Sequence, residues 1–474
     1  MNTSHDASQV KPDLLAVRPL RWLWRWPAFP VALQVIAMGV VAALAVIGFG
    51  VGTDRSAAEL MTLRKTNLAT LVVWGLWWPG LIAVALAFGR AWCTVCPLEL
   101  ANRVGDAIAR KVGWPRARLG DLPRAGWMIV ALYLVLLILV AGLSIHRVPH
   151  YTAILLFVLP GSALLAGLVF RQPRSFCQAF CPAGALLSVY GRYTPFQLEV
   201  RHPEVCGNCP TRDCVRDENR YRFDRRSCPS LLRPFHREAY DGCLLCLQCA
   251  KVCPYQNIGV GLVAPGARVR RKTLLLPFEA AFVMVVLGFV AHEVTGEVNW
   301  LDSLFHYVPQ RLASRVPALP YGWIEALWFL VLFPLAAWTA IAAGGRLAGN
   351  RLGLSSLLVA AATGAAPIVA MAHLAKAAAK ISSWGGFLPL SLGDPQGVHN
   401  LDRLGDGSLA APVPIVGLTV LGRVMLAALL VVAWRAWRWS RQVPDESLMA
   451  ARVGLAGSAV LFASMLVAWA LPGS

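Results

Sequence analysis

Residues 243–254 read CLLCLQCAKVCP. Three thiols at two-residue gaps, then a fourth three residues on and followed by proline, form C-x2-C-x2-C-x3-C-P, the spacing of bacterial [4Fe–4S] runs. Close thiolates cap three corners of one cubane, and the cysteine before proline serves a second cluster. Zinc is the alternative, but zinc sites commonly use two separated C-x2-C pairs. The second cluster needs ligands of its own. CGNCPTRDC supplies Cys206, Cys209 and Cys214, with one gap stretched to four residues, and Cys228 precedes Pro229. The exchange rule then assigns Cys206, Cys209, Cys214 and Cys253 to one cluster, and Cys228, Cys243, Cys246 and Cys249 to the other. A single cluster with structural thiols is the competing reading. Arg212, Arg216, Arg220, Arg222, Arg225 and Arg226 crowd the insert between Cys209 and Cys228. They suit a solvated basic face, charge compensation for clusters, anionic headgroups, or an acidic redox partner.

The other four cysteines belong to a repeat. PGLIAVALAFGRAWCTVCP, from Pro79, aligns with PGSALLAGLVFRQPRSFCQAFCP, from Pro160. Each begins Pro-Gly, runs through apolar residues to a Phe and ends in a Cys pair before proline. Parallel packing of the two units would bring Cys93, Cys96, Cys177 and Cys181 together at one membrane surface. Four converging thiols suit a third iron–sulfur centre or another thiophilic metal. Redox-active or structural thiols without metal are the alternative.

The elements that must carry these motifs are apolar. The 474-residue chain is 57% hydrophobic and has a mean hydropathy of +0.57, above the 45–50% apolar content of soluble domains. Runs long enough to cross a bilayer fall at roughly 30–52, 67–89, 125–145, 151–171, 275–296, 321–344, 354–380, 412–437 and 453–471. The expected fold is therefore an all-α polytopic membrane protein of about nine helices with an inserted ferredoxin-like [4Fe–4S] module. The expected division is an N-terminal segment 1–29, a four-helix repeat unit 30–182, an iron–sulfur domain 183–274 and a five-helix domain 275–474. The first span has the length of a retained helix and no convincing signal-peptide cleavage site. The net charge of +19 follows the connections. Lys11, Arg18, Arg21 and Arg25, the stretch 90–124 and the stretch 172–274 are rich in Arg and Lys, whereas 146–150 and 297–320 are poor. The positive-inside rule then places the N-terminus and every cysteine in the cytoplasm and the C-terminus in the periplasm. A reducing compartment disfavours disulfides for the twelve cysteines, and nucleic acid is not an expected partner.

The C-terminal half carries sparser signals. His373, Lys376 and Lys380 share one face of the seventh span. His292 and Glu293 lie near the outer end of the fifth span, and Glu325 opens the sixth. Arg423 reads as mid-span, where an ionisable residue faces a polar interior or a ligand. His292, His373, Lys376 and Arg423 are thus candidates for a quinone pocket, or for a haem. Snorkelling lysines and hydrogen-bonded interfacial histidines are the plainer reading. Segment 300–317 suits an amphipathic helix on the outer surface.

GRAWCTVCP and RSFCQAFCPAGAL, followed by a ferredoxin-type module, resemble the NapH/NosR-type membrane ferredoxins over about residues 67–260. The first motif here is C-x2-C-P where that family has C-x3-C-P, and the last five spans have no counterpart in the smaller NapH pattern. The resemblance implies cytoplasmic [4Fe–4S] clusters in the bacterial inner membrane and quinol oxidation coupled to a respiratory or maturation system. Two classes of function follow. One is electron transfer between the quinone pool and a redox partner, as a quinol dehydrogenase component or a carrier alone. The other is a redox factor for assembly of a metalloenzyme.

Overall fold

A computed structural model describes residues 13–236, 242–262, 274–441 and 443–471. Lys11, parts of the iron–sulfur domain (237–241 and 263–273) and the C-terminal residues 472–474 lie outside the described residues.

Helices dominate, most of them apolar. In chain order they are α1 (Val31–Gly48), α2 (Trp78–Phe88), α3 (Pro97–Val112), α4 (Trp127–Gly142), α5 (Pro149–Val169) and α6 (Gly184–Tyr190). After the strands β1 (Phe196–Val200) and β2 (Ile258–Leu262) come α7 (Pro277–Thr295), α8 (Asn299–Phe305) and α9 (Tyr307–Arg315). Then follow α10 (Tyr321–Leu347), α11 (Leu354–Gly385), α12 (Leu418–Ser440) and α13 (Asp445–Ala470). Among the described residues, eight helical segments are long and apolar enough to cross a membrane. The ninth expected span, α4, has 16 residues, about 24 Å of helix against about 30 Å of hydrocarbon. Gly126, at φ +84°, starts it late, because that conformation cannot belong to a right-handed helix.

Prolines shape two spans. Pro79 lacks an amide hydrogen and its ring clashes with the carbonyl four residues back. The preceding turn, Leu71–Trp77, widens to a π-helix. Pro334 follows a second π-helical turn, Trp328–Leu332.

α11 is the most buried span and packs against α2, α7, α12 and α13. Small residues allow the closest approach. A Cβ on Gly364 would lie 1.8 Å from the Ala451 carbonyl oxygen, and one on Gly454 2.1 Å from that of Ala361. Backbone-to-backbone contact of this kind holds helices together where lipid removes the hydrophobic drive. Leu81 and Tyr133 from the first half share one apolar core with Phe282 and Ile368 from the last.

The inserted module is not purely helical. β1 and β2 pair antiparallel, Phe196 opposite Leu262, and bracket the cysteine-rich loops. Two further sequence expectations shift. α12 begins at Leu418, so Arg423 sits in its second turn and not at mid-span. Segment 299–315 is two short helices broken at His306, which is buried.

Candidate metal centres

The Cys-Pro pairs have a local explanation. A residue before proline is driven out of the helical region. Cys96 accordingly adopts φ −67°, ψ 128°, and Pro97 opens α3 at its first turn. Cys253, before Pro254, is extended in the same way. Each such cysteine ends one helical segment with its thiol freed from the helix surface. Ahead of Cys93 the chain reverses at Gly89, φ +62°, where a Cβ would press to 3.2 Å from Thr194 Cγ2.

The two repeat units converge. Cys96 lies within electrostatic range of Cys93, Cys177 and Cys181. Cys93 and Cys177 are buried. Burial, and secondarily the neighbouring Cys177 and Cys93, push the Cys181 thiol up to about 12. Burial raises Cys177 to about 11 against the opposing pull of Arg174. Thiols held high in this way, as Cys177 and Cys181 are, ionise together only beside a cation, and metal binding supplies one. The second cysteine of each pair accepts an amide hydrogen from two residues on, Leu98 for Cys96 and Ala183 for Cys181. Bonds of this type stabilise thiolate.

The remaining eight separate into two groups. Cys206, Cys209, Cys214 and Cys253 line one cleft with Arg212 and Tyr255, and Cys249 of the second set reaches the same cleft. Burial, then Cys206, Cys253 and Cys209, push Cys214 up to about 12. Cys209 goes down: burial is the largest single influence and raises it, but the Arg212 amide and Thr211, through its hydroxyl and its amide, together outweigh it. Cys249 is held well above the usual thiol range by burial and then by Cys228, Cys246 and Cys243. Burial likewise pushes Cys246 up to about 12. Cys214 and Cys228 also act on each other's group, so the two sets adjoin.

Direct contacts join the three groups in series. Thr94, between Cys93 and Cys96, donates its hydroxyl to the carbonyl of Leu244, between Cys243 and Cys246, at 3.1 Å. The amide of Cys228 donates to the carbonyl of Cys214 at 2.8 Å. Arg174 donates to Ser230 Oγ at 2.7 Å and lies within range of Cys177, Cys93 and Cys228. Its Nε and Nη2 are buried without a hydrogen-bond partner among the described residues, as are Arg90 Nε and Arg226 Nε. Arg90 lies near Cys177 and Cys181, and Arg226 near Cys246. Buried guanidinium atoms left open beside thiols fit anionic, thiolate-ligated clusters.

The backbone around the cysteines is strained. Of seven non-glycine residues with positive φ among the described residues, six lie within three residues of a cysteine: Arg174, Arg212, Leu231, Leu245, Leu247 and Gln256. Strain of this sort gathers where a ligand or function over-determines the loop.

The arginine-rich insert is divided. Arg212, Arg216, Arg222 and Arg225 are exposed. Arg220 and Arg226 are buried and face acids on α3. Arg220 Nη2 lies 2.8 Å from Asp106 Oδ2, and Arg226 Nη1 3.7 Å from Glu99 Oε1. Asp106 also takes Arg116 and the Tyr221 hydroxyl, and Glu99 accepts from Gln34 Nε2 at 2.6 Å. Sequence reasoning passed over Glu99 and Asp106. The available signal was two acids seven residues apart, on one helical face, in a basic stretch.

The four pocket candidates do not form one site. His373 is buried and its Nδ1 meets the Tyr190 hydroxyl at 2.9 Å. Phe289 lies between it and Phe329, on which His292 stacks. Lys376 is paired with Glu297 at 2.6 Å and Glu293 at 3.5 Å. Arg423 stands on the exposed face of α12, its Nε 3.4 Å from the Ala470 carbonyl oxygen. It therefore ties the ends of α12 and α13 and lines no interior pocket.

Two stretches of the chain, residues 70–115 and 152–198, match the family model of a 4Fe-4S binding domain. Each contains one repeat unit with its Cys pair. An uncharacterized protein of Methanocaldococcus jannaschii is 29% identical over 178 residues, 36% of this chain and 65% of that protein. The methylamine utilization ferredoxin-type protein MauN of Paracoccus denitrificans is 25% identical over 137 residues, 26% of this chain and 47% of that protein. The chain thus spans less than two thirds of the length of either relative. No solved structure matches. A 4Fe-4S, ferredoxin-type domain and at least one iron–sulfur cluster are supported, on a chain built as a multi-pass membrane protein.

Proposed function

We propose that the chain passes electrons between the quinone pool and a redox partner through three cysteine-held centres in series, in the manner of the NapH/NosR-type membrane ferredoxins. The observation that carries this reading is the chain of contacts from Thr94 to Leu244 and from Cys228 to Cys214. Cys93, Cys96, Cys177 and Cys181 hold the entry centre. Cys228, Cys243, Cys246 and Cys249 hold one [4Fe–4S] cluster, and Cys206, Cys209, Cys214 and Cys253 the other. The thiol sets fit iron–sulfur groups, which supply one-electron transfer. The protein's part is to order the centres, to bury the first two and to offset their charge with Arg90, Arg174 and Arg226.

The entry centre suits a lipid-soluble donor. An apolar groove between α4 and α5, lined by Leu136, Leu155 and Val158, runs to Phe176, Phe180 and Pro182, and Cys181 packs in the same aromatic cluster. A quinone ring lying there reaches the quartet without leaving hydrocarbon. At the other end, a cleft beside Cys253 is lined by Arg25, Arg216, Arg222, Arg225 and Lys251, a surface for an acidic partner. Repeat unit 30–182 is then the quinone-facing part and domain 183–274 the relay. By the positive-inside rule the relay faces the cytoplasm, and the resemblance to the membrane ferredoxins implies a bacterial inner membrane.

The test is Cys177→Ser in anaerobically purified protein. A quinol analogue should no longer exchange electrons with the clusters, while dithionite still reduces them. Quinol exchange at the wild-type rate refutes the entry role. A reporter active only in the cytoplasm, fused near residue 230, tests the orientation.

A further inference from the structure

The other end of the bundle holds a second set of metal-type ligands. Glu279, on the first turn of α7, meets Ser188 and Arg192 near the cysteines. His292 lies thirteen residues on, about 20 Å along the helix. There its Nδ1 stands 3.2 Å from His306 Nε2, and His306 Nε2 stands 3.2 Å from Glu325 Oε1. All three ligand atoms lie within 4.8 Å of one another. Tetrahedral zinc with bonds of about 2.0–2.1 Å sets its ligand atoms about 3.3–3.4 Å apart, close to these separations.

Donor and acceptor counting points the same way. His306 Nδ1 faces two acceptors, the Asp302 carbonyl oxygen at 3.0 Å and its carboxylate at 2.9 Å. Nδ1 therefore carries the hydrogen, and in the neutral ring Nε2 is a bare lone pair. That lone pair faces a carboxylate oxygen and a second imidazole nitrogen, an arrangement resolved either by a proton on Nε2 or by a metal ion between the three groups. A ligating imidazole with its other nitrogen on a carboxylate is the usual outer support of a metal site.

We propose that His292, His306 and Glu325 bind one divalent first-row metal ion, zinc by chemistry. Two imidazoles and a carboxylate leave a fourth position open. A cavity lined by His146, Arg147 and Tyr321 adjoins His292 and Glu325. The bound ion pins the break between α8 and α9 to α7 and α10. This proposal is independent of the electron-transfer reading.

The test uses full-length detergent-purified protein, with its clusters loaded anaerobically so that the thiols are occupied. Loose metal is stripped with chelator, zinc chloride is titrated in, and retained zinc and iron are counted per chain. Wild type should retain one zinc. H306A and E325Q should bind it at least about tenfold more weakly, and D302N about 10–100-fold, with iron content unchanged. X-ray absorption at the zinc edge of the wild type should show nitrogen and oxygen neighbours only, a readout that needs no variant. A sulfur shell at about 2.3 Å, wild-type zinc affinity in E325Q, or no retained zinc in the wild type overturns the site.

Discussion

Asp106→Asn isolates what fixes the cysteine module to the membrane helices. The carboxylate is 3% exposed and holds Arg220, itself 7% exposed, at 2.8 Å. Arg116, Arg110 and the Tyr221 hydroxyl also turn to it. The amide keeps the shape and removes the charge, so Arg220 is left as a buried cation. Breaking a buried pair from one side costs about 3–5 kcal/mol. Asp217, 3.7 Å from the other nitrogen of Arg220, offsets part of that, which sets the expectation at about 3 kcal/mol, or about a hundredfold in local opening. Hydrogen exchange reads it at two amides: Ser227, bonded to the Asn219 carbonyl, and Cys228, bonded to that of Cys214. Both should exchange about a hundredfold faster in the variant. Raising the salt should change the difference little, because the pair is buried. D106N/R220M should recover part of the loss, since Arg220 is then no longer stranded, although Arg116 and Arg110 still lack their carboxylate. Exchange within about threefold of wild type, a shift under about 1 kcal/mol, or no recovery in the double variant refutes the latch.

Gly167→Ala should separate α3 from α5, because the new Cβ would lie 2.1 Å from the Asn102 carbonyl oxygen. A loss of at least about 1–3 kcal/mol should appear in the thermal midpoint, with Gly161→Ala, which meets nothing within 4 Å, as the neutral control. Thr94→Val removes the hydroxyl that serves the Leu244 carbonyl; stability should fall by about 1–3 kcal/mol, and quinol-driven reduction of the inner clusters should slow with the dithionite endpoint unchanged. Asp13 supplies a pH dependence. Its burial works to raise the carboxyl, but the Val260 and Leu15 amides and Arg201 outweigh that and hold it below the usual range. Stability from a lowered acid is complete above its unfolded value, about 3.9, and is lost as the pH falls through the folded one. A spin label at residue 16 should thus be ordered at pH 7 and mobile in strong acid, and in Asp13→Asn mobile throughout.

Hydropathy and cysteine spacing made much of this molecule legible before its coordinates, because both are local signals. A run such as Val31–Gly48 declares its solvent, and C-x2-C-x2-C-x3-C-P declares its ligand geometry. The repeat was legible too, as two copies of one apolar segment with the same ending. What escaped was set by partners far apart in the chain. Nothing near Asp106 announces Arg220, and nothing near His292 announces His306, which earns its place only where α8 breaks from α9. Arg423 was misplaced because the loop before α12 is itself apolar, so hydropathy set the helix start at 412, six residues before Leu418. α4 was drawn too long for a related reason: apolar residues continue past Gly142, but the helix does not.

The left-handed residues around the cysteines bear on how such a protein is made. Each non-glycine residue in that conformation costs about 1–2 kcal/mol, so the six near cysteines together oppose folding by at least about 6 kcal/mol. That is as large as the whole net stability of many domains. A loop under that load does not wait, finished, for its cofactor. In the proposed arrangement the incoming clusters close the loops around themselves, so biogenesis has an order: helices enter the bilayer first and the module sets only on loading. An unloaded chain would then present open, protease-accessible loops between two inserted halves, and the cell could tell a charged molecule from an empty one by shape alone.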